Sequence, residues 1–150
     1  MGLKELLGRN ISISKKLHDK YQELKDYSIF KNQMDDSTRD YKYIYMICLS
    51  LGYWYKKRQT VKDPYPILNT SSFSDKDVWT MAAIAYEDSK DLCILSNAKE
   101  IKRIASEYAE AGYYILMDLM SKYDTGDNLV EKIEDIAREG LDLKGNPNKF

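Results

Sequence analysis

Residues 49–61, with the sequence LSLGYWYKKRQTV, place three consecutive aromatic side chains beside a cluster of cationic ones. Rings next to lysine or arginine can stack on the bases of a single nucleic-acid strand while the cations contact phosphates. Tyr, Trp and Arg are also the residue types enriched at hot spots of protein–protein interfaces. The candidate contact residues of this aromatic-basic segment are Tyr53, Trp54, Lys56, Lys57, Arg58 and Lys62.

A structural explanation exists for the same segment, because Gly52 is the type of residue that ends a helix. Cations after the last turn gain about 0.3–1 kcal/mol from the helix carbonyls. Two of the three consecutive rings are also expected to point into the core. Moreover, the net charge is −1, whereas a dedicated duplex-DNA binder usually carries a marked basic excess. Three interpretations stay open: a helix end with solvated charges, a protein-docking surface and a nucleic-acid contact.

Residue types that perform catalysis or bind metals are sparse in this chain. Its one histidine, His18, is predicted on a surface helix without a neighbouring nucleophile, which argues against hydrolase sites and a zinc site. Cys48 and Cys93 lie in apolar runs without CxxC spacing, which predicts two buried thiols. The acidic pairs are expected to be solvated, and no glycine pattern resembles a phosphate-binding loop. We therefore expect no enzyme activity, no metal and no cofactor.

The elements that must position the aromatic-basic segment are predicted to be helices. Ile13, Leu17 and Tyr21 recur at helical spacing, with Ser12 or Ser14 as the N-cap. A second helix begins near Tyr41, is apolar on nearly every side and is expected to end at Gly52.

Residues 56–73 are the one long stretch without helical periodicity, and they contain two of the three prolines. The part around YPILNTSSF is expected to be extended, with a short strand or hairpin as an alternative. A connection of this length inside a compact domain is usually functional or mobile.

Ser74 is predicted to cap the helix after this loop, and Asn97 the longest helix, residues 98–123. Gly112 on that helix suggests a close helix crossing. The face opposite its apolar stripe is expected to be solvated and contains Lys102, Arg103, Glu107 and Glu110. A last helix, 129–140, and a flexible tail, 141–150, complete the chain.

The predicted fold is all-α, a single compact bundle of about five helices with one long Pro-containing loop, forming one domain over residues 1–150. The chain shows no signal peptide and no apolar run that would span a bilayer, so we expect a cytoplasmic protein without membrane contact. A homodimer formed through residues 98–123 is a further hypothesis.

Three motifs in residues 39–123 suggest a family. The first is an apolar helix ending in Leu-Gly-Tyr and a basic cluster, matched by Leu51, Gly52, Tyr53, Lys57 and Arg58. The second is a helix of small apolar residues that runs into an acidic turn and an Ile-Leu-Ser step, matched by Ala82 to Asp88 and by Ile94, Leu95 and Ser96. The third is a glutamate-tyrosine-alanine-x-x-glycine block, matched by Glu107, Tyr108, Ala109 and Gly112. The chain resembles the small accessory protein of prokaryotic DNA phosphorothioation gene clusters, the fourth dnd-system-associated protein family.

The resemblance implies a role in restriction of phages or plasmids, beside ATPases and nucleases encoded nearby. It implies no catalytic residues. We therefore expect a non-enzymatic accessory subunit of an antiviral defence system that binds a larger ATPase or nuclease component through protein–protein contacts. The alternative is a small nucleic-acid-binding module that uses the aromatic-basic segment 53–62. For the accessory subunit, contact with DNA, direct or through the partner, is a further expectation.

Overall fold

A computed structural model of the chain describes residues 2–24, 41–122 and 131–139. Most of these residues are helical, and the strands among them form one antiparallel pair. The helices are α1 (Leu3–Leu6), α2 (Lys15–Leu24), α3 (Tyr41–Trp54), α4 (Asp75–Ser89), α5 (Ala98–Lys122) and α6 (131–139), and the strands are β1 (Asn10–Ser14) and β2 (Pro64–Asn69). The predicted all-α bundle with a short strand in the Pro-containing loop is confirmed.

The centre of the fold is the crossing of α3 and α5. A Cβ atom on Gly112 would overlap the carbonyl oxygen of Cys48, and one on Gly52 would overlap the carbonyl oxygen of Tyr108. The two backbones can approach this closely only because neither contact residue has a side chain. The close crossing predicted at Gly112 is confirmed. Further buried side chains of α3 belong to the hydrophobic core, namely Tyr41, Ile44, Tyr45, Leu49 and Leu51.

The sequence predicted that α3 ends at Gly52, and this prediction is wrong. The helix continues to Trp54, and Gly52 lies inside it at the contact with Tyr108. The sequence pattern favoured a glycine that ends the helix, but Gly52 instead allows the backbone of α5 to pack closely against α3. Which of these two roles a glycine has depends on a partner helix that is distant in the sequence.

The two-stranded pair joins the N-terminus to the Pro-containing loop. β1 and β2 are antiparallel, with Ile11 opposite Leu68 and Ile13 opposite Tyr65, and the register is irregular between the two isoleucines. The prediction of a helical position for Ile13 is wrong, because Ile11 and Ile13 alternate on a strand and both are buried. α2 begins only at Lys15.

Side chains cap the helices that follow the loop, as predicted. Ser74 and Asp77 form a reciprocal capping box at the start of α4, with bonds of 3.0 and 3.1 Å. The Asn97 side chain accepts from the Glu100 amide at 3.2 Å at the start of α5. Similarly, the Ser14 hydroxyl accepts from the Leu17 amide at 3.4 Å at the start of α2.

Two burial predictions are wrong. Glu110 was expected on a solvated face of α5, but it is only 5% exposed. β1 packs against α5 on that side, and the Ser14 hydroxyl donates to Glu110 Oε1 at 2.8 Å. Cys93 is exposed rather than buried, because in its short 3-10 turn, Leu92–Ser96, Ile94 is the residue that enters the core.

The C-terminal predictions fall partly on residues that the structure does not describe. Residues 131–139 are helical, in agreement with the predicted last helix, and Ile136 is buried. The tail at 141–150 lies outside the described residues, so its flexibility and the extent of the domain over 1–150 stay predictions. Within residues 2–24, 41–122 and 131–139, no helix combines the length and the apolar character needed to cross a bilayer.

Candidate interaction site

At the C-terminal end of α3, the aromatic-basic segment forms a capping turn that two backbone hydrogen bonds close. The Lys57 amide donates to the Gly52 carbonyl at 2.9 Å, and the Lys56 amide donates to the Tyr53 carbonyl at 3.1 Å. These two bonds form the Schellman arrangement, in which one residue adopts a left-handed conformation. Lys56 is that residue, with a φ of 56°, although glycine is more usual there. The basic residues therefore follow a sharp and well-defined turn.

The three rings of the segment have different surroundings. Tyr53 and Trp54 are half-buried, whereas Tyr55 is 41% exposed. The Tyr53 ring packs edge-on against Tyr108 with centroids 5.7 Å apart, and Lys56 Nζ lies 3.9 Å from the Tyr53 centroid. The prediction that two of the three rings point toward the core is confirmed. Tyr55 is the ring of this segment that is open to a ligand.

Arg58 is held by acidic residues of two other helices. Its guanidinium donates to Asp88 Oδ2 at 2.6 Å and to Glu107 Oε1 at 3.2 Å. Arg103 binds the second oxygen of Glu107 at 2.6 Å, and the Tyr108 hydroxyl donates to Asp88 Oδ1 at 2.7 Å. The charge of Arg58 is therefore compensated inside the fold, and this side chain fixes the turn to α4 and α5.

The pKa values of Asp88 and Tyr108 follow from burial and hydrogen bonding. Burial pushes the pKa of Asp88 upward, but hydrogen bonds from Tyr108 and Arg58 outweigh it and hold the pKa below its ordinary value. Burial and the hydrogen bond to Asp88 raise the pKa of Tyr108 to about 12. Asp88 therefore stays ionised and Tyr108 stays protonated at neutral pH.

After this capping turn, the segment forms one wall of a surface groove with a volume of about 580 Å³, here called the turn groove. The opposite wall is the C-terminal half of α5, where Tyr114 is 39% exposed. The residues that give the turn groove its chemistry are Tyr55, Lys57, Tyr114, Ile115, Asp118 and Lys122. It combines two accessible rings with a charged rim.

Trp54 belongs to a different groove on the other side of α3, with a volume of about 640 Å³, here called the α3 groove. Its lining is mostly apolar and includes Tyr43, Ile47, Trp54, Ile133 and Ile136. Residues adjacent in sequence are thus divided between two surfaces. The prediction grouped Trp54 and Tyr55 in one site, because neighbouring positions in a sequence do not show on which side of the helix end each ring lies.

The structure unites only part of the predicted contact set. Lys57 and Arg58 line the turn groove with Tyr55, while Trp54 lines the α3 groove. Lys62 is exposed but contributes to neither groove. Tyr114, on the long helix, also lines the turn groove but was not predicted as a contact residue. In the sequence, one half-exposed ring on this helix resembles any other residue outside the apolar stripe.

The described parts of the chain include His18, both cysteines and most of the acidic residues. Within them, no three His, Cys, Asp or Glu side chains are grouped so that they could hold a metal ion. His18 packs against Tyr65 and Tyr41, with ring centroids 5.1 and 6.4 Å away. It is an element of side-chain packing between α2, α3 and β2.

The fold and its grooves define a small helical protein with a two-stranded antiparallel pair. The chain matches no protein-family model, no curated protein and no solved structure.

Proposed function

We propose that this protein is a non-enzymatic accessory subunit of a cytoplasmic prokaryotic defence system associated with DNA phosphorothioation. In this role it docks onto a larger component, an ATPase or nuclease. The likeness of residues 39–123 to the fourth dnd-system-associated family motivates the choice of system. The turn groove is the observation that carries the docking function.

The chemistry of the turn groove suits a polypeptide partner. Tyr55 and Tyr114 offer rings with a hydroxyl at the edge, which can bury apolar area and keep a hydrogen bond. Lys57 on the same surface can pair with an acidic side chain of the partner. Aromatic residues in a pocket with a polar rim are typical of interface hot spots.

Arg58 lines the turn groove and also holds the turn in place. Because its guanidinium binds Asp88 and Glu107, the backbone of the turn is already fixed before a partner arrives. A surface that is ordered in the free protein loses less conformational entropy on binding. This arrangement favours a permanent docking wall over a segment that folds on contact.

The test is affinity purification from the native host with the Tyr55→Ala/Tyr114→Ala double variant. We expect it to lose the partner, because truncating a hot-spot ring costs about 2 kcal/mol or more. Tyr43→Ala is the matched control, since Tyr43 is equally exposed at 41% but lies in the α3 groove. The control should retain the partner, and all variants should keep their thermal stability.

The two parts of the proposal can fail separately. If the double variant still co-purifies with the partner of the parent protein, the turn groove is not the docking site. If the captured partner is neither an ATPase nor a nuclease of a defence system, the functional assignment is wrong whatever the groove does.

A nucleic-acid-binding module is the second candidate function, favoured by the two rings beside Lys57 in the turn groove. Stacking on such rings is worth about 1–3 kcal/mol per base. The logarithm of the affinity for single-stranded DNA should then fall linearly with the logarithm of the salt concentration. Lys57→Ala and Lys62→Ala should each reduce that slope. Absence of a fluorescence-anisotropy change at low salt, with single- or double-stranded DNA, would eliminate this candidate.

A homodimer through α5 stays a third hypothesis. The apolar stripe of this helix is already occupied inside the chain, since Ile101, Leu116 and Leu119 are buried. Light scattering of the purified protein measures the oligomeric state directly.

A further inference from the structure

A third concavity lies away from the turn groove and the α3 groove. It opens between β1, the N-terminal half of α5 and residues 59–64, which cross above it, and its volume is about 480 Å³. This is here called the loop cleft. Volumes of about 300–1,000 Å³ are typical of sites for small molecules.

The segment above the loop cleft is anchored at both ends. At its start, the Gln59 amide donates to the Glu107 carbonyl at 3.1 Å, and at its end the Lys15 amide donates to the Asp63 carbonyl at 3.0 Å. Asp63 has a φ of 49° and turns the chain into β2. Residues 59–64, which line one side of the cleft, are thus held by hydrogen bonds at both ends.

The charge along the loop cleft is positive. Lys99, Lys102, Arg103 and a single acid, Glu107, contribute to its lining. The charge of Arg103 is already paired, because its guanidinium binds Glu100 through Nε and one terminal nitrogen and Glu107 through the other. Within the described residues, Lys99 and Lys102 form no ion pair, so two ammonium groups are available to an anion. Lys102 Nζ makes one 3.3 Å bond, to the Asn10 carbonyl, and has two further protons to donate.

Hydroxyl groups add neutral donors to the same lining. Ser12, Thr60 and Ser106 all contribute to the cleft. Ser106 is 7% exposed, and its Oγ lies 3.1 Å from the hydroxyl of the fully buried Tyr45. If Tyr45 donates in this bond, its buried hydroxyl is satisfied and the Ser106 proton is left for an acceptor in the cleft.

We propose that the loop cleft binds a small phosphomonoester, a function separate from the docking surface. Two ammonium groups and several hydroxyl donors match the three oxygens of a terminal phosphate, which exceed the two of a carboxylate. Val61 and Pro64 are part of the same lining and offer apolar contacts to the organic part of the ligand. This division between an anionic end and an apolar body defines the ligand class.

Isothermal titration calorimetry on the full chain tests the proposal, with inorganic phosphate, ribose 5-phosphate, adenosine 5′-monophosphate and adenosine as probes. At least one phosphomonoester should bind more tightly than inorganic phosphate, and adenosine should not bind. Lys99→Ala and Lys102→Ala should each weaken binding by about tenfold, the loss expected for one charge-assisted hydrogen bond.

Lys76→Ala is the matched control, because Lys76 is an exposed lysine of α4 outside the loop cleft. It should bind the probe as the parent chain does, and thermal unfolding of each variant confirms that it is folded. Binding that is equal in all variants, or no binding of any phosphomonoester at millimolar concentration, overturns the proposal. So does a lysine-dependent site that binds only an oligonucleotide. Partner capture by the lysine variants should be unchanged, which separates this result from the test of the docking site.

Discussion

At the scale of single residues, Arg58 and Glu110 are both charged residues whose surroundings differ from those that the sequence predicts, and they affect stability in opposite directions. Arg58 belongs to the aromatic-basic segment, yet its guanidinium is paired with Asp88 and Glu107. Glu110 resembles a surface residue of α5, yet it is buried, and one of its carboxylate oxygens has no hydrogen-bond partner among the described residues. The first residue should therefore stabilise the fold, and the second should destabilise it whenever it is ionised.

We expect Arg58→Ala to reduce the free energy of unfolding by about 1–2 kcal/mol, between the values of exposed and buried ion pairs. The variant loses two ion pairs, and within the described part of the chain the Asp88 carboxylate keeps its bond from Tyr108. Urea denaturation measures the change. Lys57→Ala, the adjacent exposed cation, should alter stability by less than about 0.5 kcal/mol. Equal effects of the two substitutions would show that Arg58 does not anchor the turn.

Glu110 should make stability depend on pH. Burial raises the pKa of its carboxyl, and the hydrogen bond from Ser14 and the charge of Lys16 only partly oppose it. Buried Tyr21 and Cys48 also face this carboxyl, and their own pKa values are raised. Because folding raises this pKa, the Glu110 carboxyl makes its full contribution to the free energy of unfolding below the unfolded pKa of about 4.3. That contribution is lost as the pH rises through the pKa of the folded state.

Glu110→Gln should therefore gain stability over the parent chain as the pH rises from about 4 to 8. At the upper end we expect a difference of about 1–3 kcal/mol, the cost of a buried polar atom without a partner. Urea denaturation across this pH range measures the difference. A difference that is constant with pH, or that shrinks as the pH rises, would contradict the assignment.

At the scale of elements, the crossing of α3 and α5 determines the architecture. Gly52 and Gly112 each lie against the backbone of the other helix, so added atoms would meet main-chain groups. Main-chain groups inside a helix cannot rotate away as the end of a side chain can. The crossing also places α5 so that Glu107 and Tyr108 reach the turn after α3.

We expect Gly112→Ala to destabilise the protein by about 3 kcal/mol or more, at or above the usual range for overpacking. The helical preference of alanine, about 1 kcal/mol, acts in the opposite direction and makes the sign of the result informative. Chemical denaturation measures the loss. Gly2→Ala is the control, since nothing lies within 4 Å of a Cβ there. A Gly112→Ala protein as stable as the parent would refute the close crossing.

At the scale of the whole molecule, the fold distributes a contiguous segment over separate surfaces. Trp54 lines the α3 groove, Tyr55 and Lys57 line the turn groove, and Thr60 lines the loop cleft. Three surfaces with different chemistry therefore meet within seven residues of the segment. A partner in the turn groove and an anion in the loop cleft could bind at the same time.

The two thiols report on the integrity of the whole fold. Cys93 is exposed, whereas Cys48 is buried, and burial raises the pKa of the Cys48 thiol to about 12. In the native protein, a thiol reagent should modify Cys93 quickly. Cys48 should react more than about a thousandfold more slowly, because it must await unfolding. In a Cys93→Ser variant the fast phase should disappear, and its persistence would show that Cys48 is accessible.

Much of the fold can be predicted from local pattern. Helical spacing of apolar residues, the capping residues Ser74 and Asn97, and the prolines of the loop indicate the later helices and the strand inside the loop. These features depend on interactions within a few residues along the chain, so the order of side chains alone specifies them. The glycine crossing at Gly112 was predicted for the same reason, because a mid-helix glycine needs a compensating contact.

The composition of the surfaces follows from contacts between distant residues. Arg58 binds acids that are 30 and 49 residues away in the chain, and Glu110 is buried where β1 packs against α5. Tyr55 and Tyr114 are likewise far apart in the chain but line the same groove. Local periodicity shows which side chains share a face of one helix. It does not show what packs against that face, and this long-range packing determines which charges are compensated and which rings stay open.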